Sequence, residues 1–194
     1  MITNIIYIIV AYFLGNIMGG KLLEKIYKEE FTNKGSGNVG ARNAGRVLGA
    51  RSFIFVLVVD FFKGFLVVIM LKILNASDWV IYSAIILVIL GHIKPVIFRF
   101  KGGKGVATSL GVFLFLIPVI TLILLVIFIL VAYFTRYISL ASITAAFLLP
   151  IFTFFTHRDS YLFALSVIIA IFVIYRHKTN ISRLLSGTEN KFKF

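Results

Sequence analysis

The 194-residue chain has no cysteine and only seven aspartate or glutamate residues. Without cysteine there is no disulfide, no thiolate metal site and no cysteine nucleophile. The few carboxylates do not cluster in a metal-ligand pattern, so neither a metal nor another cofactor is expected. No polar stretch is long enough to form a separate domain, and residues 1–194 are expected to make a single integral-membrane domain. Strand-type alternation is absent, which removes a membrane β-barrel. Internal repeats and inverted symmetry are absent too, which speaks against a repeat-built transporter. The first apolar run has no basic start and no small-residue cleavage pattern, so it reads as a retained helix rather than a signal peptide.

What the chain has instead is apolar length. It is 60% hydrophobic, with a mean hydropathy of +1.04, where soluble domains are roughly 45–50% apolar. Apolar runs fall at 2–20, 52–74, 79–98, 106–134, 137–156 and 160–175. Several reach the ~20 residues that a spanning helix requires. The fold class is therefore all-α, a polytopic membrane helical bundle.

The formal net charge is +13. Sixteen of the twenty lysines and arginines lie in three polar regions, 21–51, 94–104 and 176–194. The positive-inside tendency places all three on the cytoplasmic side. Parity then requires the long run 106–134 to be two helices, and Pro118 is where a helix would break. The expected count is seven transmembrane helices with the N-terminus outside. Net charge of this sign suits anionic lipid headgroups and an anionic substrate equally. Nucleic acid is excluded as a partner, because the basic residues sit in short loops between spans and not on a basic module.

The first polar region holds GSGNVGARNAGR, residues 35–46. Its glycines permit tight turns and close approach of N–H groups to a ligand. Ser36, Asn38, Asn43, Arg42 and Arg46 add neutral donors and cations, the make-up of an anion nest. The second, FKGGKGVATSL at 100–110, sets Lys104 among three glycines just before a helix expected from Val106. A helix N-terminus offers N–H groups and partial positive charge to an anion. The spacing is not that of a nucleotide-binding P-loop. The third, RHKTNISRLLSGTE at 176–189, places His177, Asn180 and Arg183 on one face if it is helical. Each region alone has a plainer reading: an ordinary glycine-rich loop, a lysine that sets topology, an amphipathic interfacial tail. Three such regions on one side point to a single anion-binding site. Inside the second span, Asp60 and Lys63 are spaced to pair on a helix face and read as structural support for that site. His92 reads as an interfacial histidine, or as one that orients the second loop. His157 receives no role.

With YFLGN (12–16), the GSGN loop, DFFKG (60–64), GHIKPVIFRFKGGKGVAT (91–108) and RHKTNISRLLSGTE in order, the chain resembles the bacterial acyl-phosphate–glycerol-3-phosphate acyltransferases over nearly its whole length. The resemblance implies seven helices and an active site facing the cytoplasm of a bacterial cell. It implies transfer of a fatty acyl group from acyl phosphate to the 1-hydroxyl of glycerol 3-phosphate, giving lysophosphatidic acid and phosphate. The implied catalytic residues are Ser36, Lys104 and His177. Those implied to bind substrate are Gly35, Gly37, Asn38, Arg42, Asn43, Arg46, Gly102, Gly103, Gly105, Thr108, Ser142, Asn180, Arg183 and Glu189. His177 and the substrate's own phosphate both remain candidates for the base. One departure stands out: Arg42 occupies a position where the family commonly has threonine. The same fold with a different acceptor, and a transporter of a phosphorylated anion, are the rival readings. A transporter needs polar groups through its spans, whereas here they gather at the ends of the spans.

Overall fold

The structure is a computed structural model that describes residues 1–157 and 159–192; the tail cation Lys193 lies outside them. The described chain is helical. Its helices are α1 (Ile2–Gly15), α2 (Gly19–Tyr27), α3 (Ala41–Leu48), α4 (Ala50–Ile73), α5 (Asp78–Ile93), α6 (Val106–Leu116), α7 (Pro118–Thr135), α8 (Ile138–Thr156), α9 (Ser160–Arg176) and α10 (Lys178–Leu185). Short 3-10 turns fall at Phe31–Asn33 and Val96–Phe98. Helices α4, α7 and α8, and α5 with the turn that follows it, are long and apolar enough to cross a membrane. The pairs α1–α2 and α9–α10 also qualify if each is counted as one span bent by 45° and 58°. Helix α6 is apolar but has 11 residues, a rise of ~16 Å.

The chain forms two compact units, the first being Met1–Leu116 and the second starting at Ile117. In the first, α1 packs on α5, and α4 packs on α3, α5 and α6. Apolar area gives little drive between helices that lipid already solvates, so close backbone packing has to supply it. Gly15 and Gly91 provide the approach of α1 to α5: a β-carbon on Gly15 would sit 2.9 Å from the Cα of Gly91. Beneath α3, the side chains of Leu23, Phe31, Ala44 and Val56 form a buried cluster. In the second unit α8 packs against both α7 and α9, and α10 folds back on α8 and α9.

The break in the long apolar run is where proline dictates it. Helix α6 stops at Leu116, Ile117 leaves helical geometry, and Pro118 occupies the first turn of α7. There the missing N–H is no loss and the fixed φ suits the helix. Two expectations fail. The first apolar run is not one helix over 2–20, because α1 ends at Gly15 and α2 starts at Gly19. The region 21–51 is not all loop, since it holds most of α2 and all of α3.

Candidate active site

Each unit carries a polar cluster built around a buried amide or carboxylate. In the first unit, Asn43 sits on α3 and is buried. Its Oδ1 accepts from the Ser36 N–H at 2.8 Å, and its Nδ2 donates to the carbonyls of Lys34 at 3.1 Å and Phe31 at 3.4 Å. One side chain thus ties down the backbone of 31–36. Gly35 has φ +65°, and a β-carbon there would collide with Asn43 Oδ1 and press on Arg46 Cδ. Only glycine suits that position on both counts. Gly35, Ser36, Asn43 and Arg46 therefore form one cluster, with Ser36 and Arg46 exposed. Asn38 and Arg42 are half-buried beside it, and Arg42 and Arg46 stand on a helix, not on the glycine-rich loop.

Glu24 supports the same loop from α2. It accepts from the Thr32 N–H at 3.0 Å, the Thr32 hydroxyl at 2.7 Å and Lys21 Nζ at 2.6 Å. Tyr12 and Asn16, from the YFLGN stretch, brace the next segment. The Tyr12 hydroxyl donates to the Lys94 carbonyl at 2.7 Å, and Asn16 Oδ1 accepts from Ile97 N at 3.3 Å.

After Pro95 the chain turns through Arg99 and Phe100, both in the left-handed region, into the loop that carries Lys104. Gly102, Gly103 and Gly105 are buried and Lys104 is half-buried. Helix α6 begins directly after them, so the N–H groups of its first turn point back toward this loop. Thr108 is buried against Gly64 of α4. Among the described residues, its hydroxyl and that of Ser109 lack a hydrogen-bond partner.

The second unit's cluster centres on Glu189. Its carboxylate accepts from Ser139 Oγ at 2.8 Å, Asn180 Nδ2 at 2.9 Å and Arg183 Nε at 2.8 Å. Burial alone would raise its pKa. The hydrogen bonds from Arg183, Asn180 and Ser139, with the charge of Arg183, overcome that and hold it at about 2. His177 forms the joint between α9 and α10 and is buried. Its Nδ1 lies 2.8 Å from the Val173 carbonyl. A carbonyl only accepts, so Nδ1 carries a proton, and in the neutral ring the lone pair is on Nε2.

Asn180 and Arg183, one helical turn apart, meet through Glu189, which the spacing did not link to them, and Glu189 spends both oxygens on the chain's own donors. Ser142 is buried and returns its hydroxyl to the Ile138 carbonyl of its own helix at 2.9 Å. Ser139, three residues earlier, is the serine that joins the cluster. Sequence reading missed Ser139, Glu24 and the two braces Tyr12 and Asn16. The S-x-x-S spacing of 139–142 puts both serines near one helical face, and only the position of Glu189 separates them.

The fold and these clusters define a class: a helical integral membrane protein whose glycine, amide and cation groups collect at helix ends. The chain belongs to the glycerol-3-phosphate acyltransferase family, which it matches over residues 5–187. It is 64% identical over 191 residues to the glycerol-3-phosphate acyltransferase of Fusobacterium nucleatum, covering 97% of each chain. It is 44% identical to the same enzyme of Geotalea daltonii over the full length of both. Among solved structures it is similar to PlsY, an integral membrane glycerol 3-phosphate acyltransferase, in its glycerol 3-phosphate form. There the TM-score is 0.93 at 38% identity, over 98% of this chain and 96% of that one. The lysophosphatidic acid form of PlsY gives a TM-score of 0.90.

Proposed function

We propose that this protein moves a fatty acyl group from acyl phosphate to the 1-hydroxyl of glycerol 3-phosphate, at the cytoplasmic side of a bacterial cell membrane. The observation that carries the reading is the full-length likeness to PlsY in both its glycerol 3-phosphate and lysophosphatidic acid forms. The ordered GSGN loop and the GGKG turn supply matching chemistry. Acyl phosphate is a mixed anhydride, so its carbonyl is already activated. The acceptor's 1-hydroxyl oxygen attacks the carbonyl carbon, the bond from that carbon to the phosphate oxygen breaks, and phosphate leaves. The hydroxyl proton passes to a phosphate oxygen or to Nε2 of His177. Placing two anions and stabilising the oxyanion is enough, without a covalent enzyme intermediate.

In this reading Ser36 and the N–H groups beside it, held by Asn43, serve the acyl-phosphate head and the oxyanion. Arg46 and Lys104, in the first unit, are the cations assigned to the phosphate of glycerol 3-phosphate, and His177 and Asn180 are the groups of the second unit assigned to substrate. Glu189 and Ser139 hold Asn180 and Arg183 in place and do not touch substrate. The acyl chain lies along apolar helix faces.

The test is phosphate release by the purified protein given palmitoyl phosphate, with and without glycerol 3-phosphate, with lysophosphatidic acid measured in parallel. Acceptor-dependent release matched mole for mole by lysophosphatidic acid is expected. Folded protein that binds palmitoyl phosphate but leaves glycerol 3-phosphate unacylated would shift the acceptor, with Arg42 as the first suspect. Folded protein that does neither would overturn the reading.

A further inference from the structure

Lys63 lies within the apolar helix α4 and is buried, as are Asp60 and His92. Four acceptors surround its ammonium: Gly15 O at 3.0 Å, Ile17 O at 2.8 Å, His92 Nδ1 at 2.7 Å and Asp60 Oδ1 at 3.1 Å. Gly15 and Ile17 lie where α1 ends, so their carbonyls have no further helical turn to bond with. Asp60 Oδ1 in turn accepts from the N–H of Gly19, the first residue of α2, at 3.2 Å. The ion pair therefore serves both faces of the break between α1 and α2: the lysine takes its carbonyls and the aspartate takes its N–H.

The fourth contact leads elsewhere. An ammonium only donates, so His92 Nδ1 is the acceptor and the ring proton is on Nε2. That nitrogen stands against Gly103, so close that a β-carbon on Gly103 would run into it. The His92 carbonyl also accepts from the Gly103 N–H at 3.0 Å. Ring and backbone of one residue thus grip the glycine just before Lys104. A loop with three glycines in four residues has much conformational entropy to lose, and a binding site has to hold its donors within about 0.5 Å.

We propose that His92, locked by Lys63 and Asp60, is a positioning residue that sets loop 102–105 so that Lys104 and the loop's N–H groups meet the phosphate of glycerol 3-phosphate. This rests on the reading of that loop given above. His92 acts through Gly103 and does not touch substrate.

His92→Asn tests it. Asparagine can present an oxygen where Nδ1 stands, which keeps Lys63 satisfied, and it lacks the outer half of the ring. The expected result is a rise of at least tenfold in KM for glycerol 3-phosphate, a KM for palmitoyl phosphate within twofold of wild type, and little change in Tm. Gly103→Ala probes the same contact from the loop side with the Lys63 network intact, and the same rise is expected. In Gly103→Ala/His92→Asn the methyl enters the space the ring vacated, so KM is no worse than in His92→Asn alone; the two effects do not add. Unchanged KM for glycerol 3-phosphate in Gly103→Ala, or a loss in His92→Asn that falls equally on both substrates and follows a lowered Tm, overturns the proposal. If folded wild-type protein does not acylate glycerol 3-phosphate at all, the reading of the loop falls and this inference with it, a pattern distinct from a normal wild type with normal variants.

Discussion

Glu189→Gln should cost stability in a way that depends on pH with a definite sign. The carboxylate is 6% exposed and takes three hydrogen bonds, from Ser139, Asn180 and Arg183. Its pKa is about 2 in the fold against an ordinary 4.5. A depressed pKa means that the folded state prefers the charged form. The stabilisation is therefore complete above pH 4.5 and is lost as the pH falls toward 2. At 1.36 kcal/mol per pKa unit the ceiling is about 3 kcal/mol. Arg183 is 35% exposed, and solvent screening brings the expected value to about 2 kcal/mol. For a chain of this size each kcal/mol moves Tm by about 2–4 °C, so glutamine should lower Tm by roughly 4–8 °C at pH 7. The substituted amide keeps one oxygen but sets an N–H against one of the three donors. The assay is thermal unfolding in detergent, variant beside wild type at each pH, so that every other carboxylate cancels. The gap should shrink as the pH drops below 4.5. A gap of the same size at pH 7 and pH 3, or no gap at pH 7, would refute the reasoning.

Three further outcomes can be checked. Arg46→Ala, Lys104→Ala and His177→Ala should each cut lysophosphatidic acid formation by at least about 100-fold while the protein still folds, in line with losing a group that positions substrate, and loss of the buried His177 should also lower Tm; near-normal turnover in all three would sink the site assignment. Asn43→Ala frees the backbone of 31–36 and leaves its partners unsatisfied, which should cost about 2 kcal/mol in unfolding assays and reduce turnover at least tenfold, and Asn43→Asp, which keeps the acceptor for Ser36 but sets a buried anionic oxygen against the carbonyls of Phe31 and Lys34, should be no better. Thr108→Val removes a buried hydroxyl that has no partner among the described residues, so Tm should stay level or rise; a large loss of turnover instead would show that this hydroxyl meets substrate.

The apolar architecture was legible because hydrocarbon imposes a length. The run 52–74 became Ala50–Ile73, and 137–156 became Ile138–Thr156. Pro118 divided the long run because its ring removes a helical N–H and crowds the preceding turn, although Pro150 is accommodated inside the continuous helix α8. Where local chemistry decides, sequence suffices. Helix α3 shows the opposite. ARNAGRVL has eight residues and an internal glycine, too short and too poor a helix former to nucleate alone. It exists because Ala44 packs against Phe31, Leu23 and Val56, and that packing is set by tertiary structure. The GSGN stretch was readable as an anion loop, yet the device that orders it, an asparagine amide reaching back to residues 31–36, cannot be seen in composition.

The pairing of Asp60 with Lys63 followed from their spacing, but their purpose did not. No proline marks the break after Gly15, and the apolar run continues past it to residue 20. In a continuous helix over 2–20 the carbonyl of Gly15 and the N–H of Gly19 would bond to each other, and the buried lysine would be left with Asp60 and His92 alone. The break turns those backbone groups into partners, and the ion pair makes the break tolerable in an apolar setting where each unmet group costs several kcal/mol. Neither is stable without the other, so neither can be inferred alone. The same logic gives the expected result of removing one charge: Lys63→Met should unfold the break, while Asp60→Asn/Lys63→Met, which leaves no unpaired charge, should recover part of the lost stability though not the grip of His92 on Gly103.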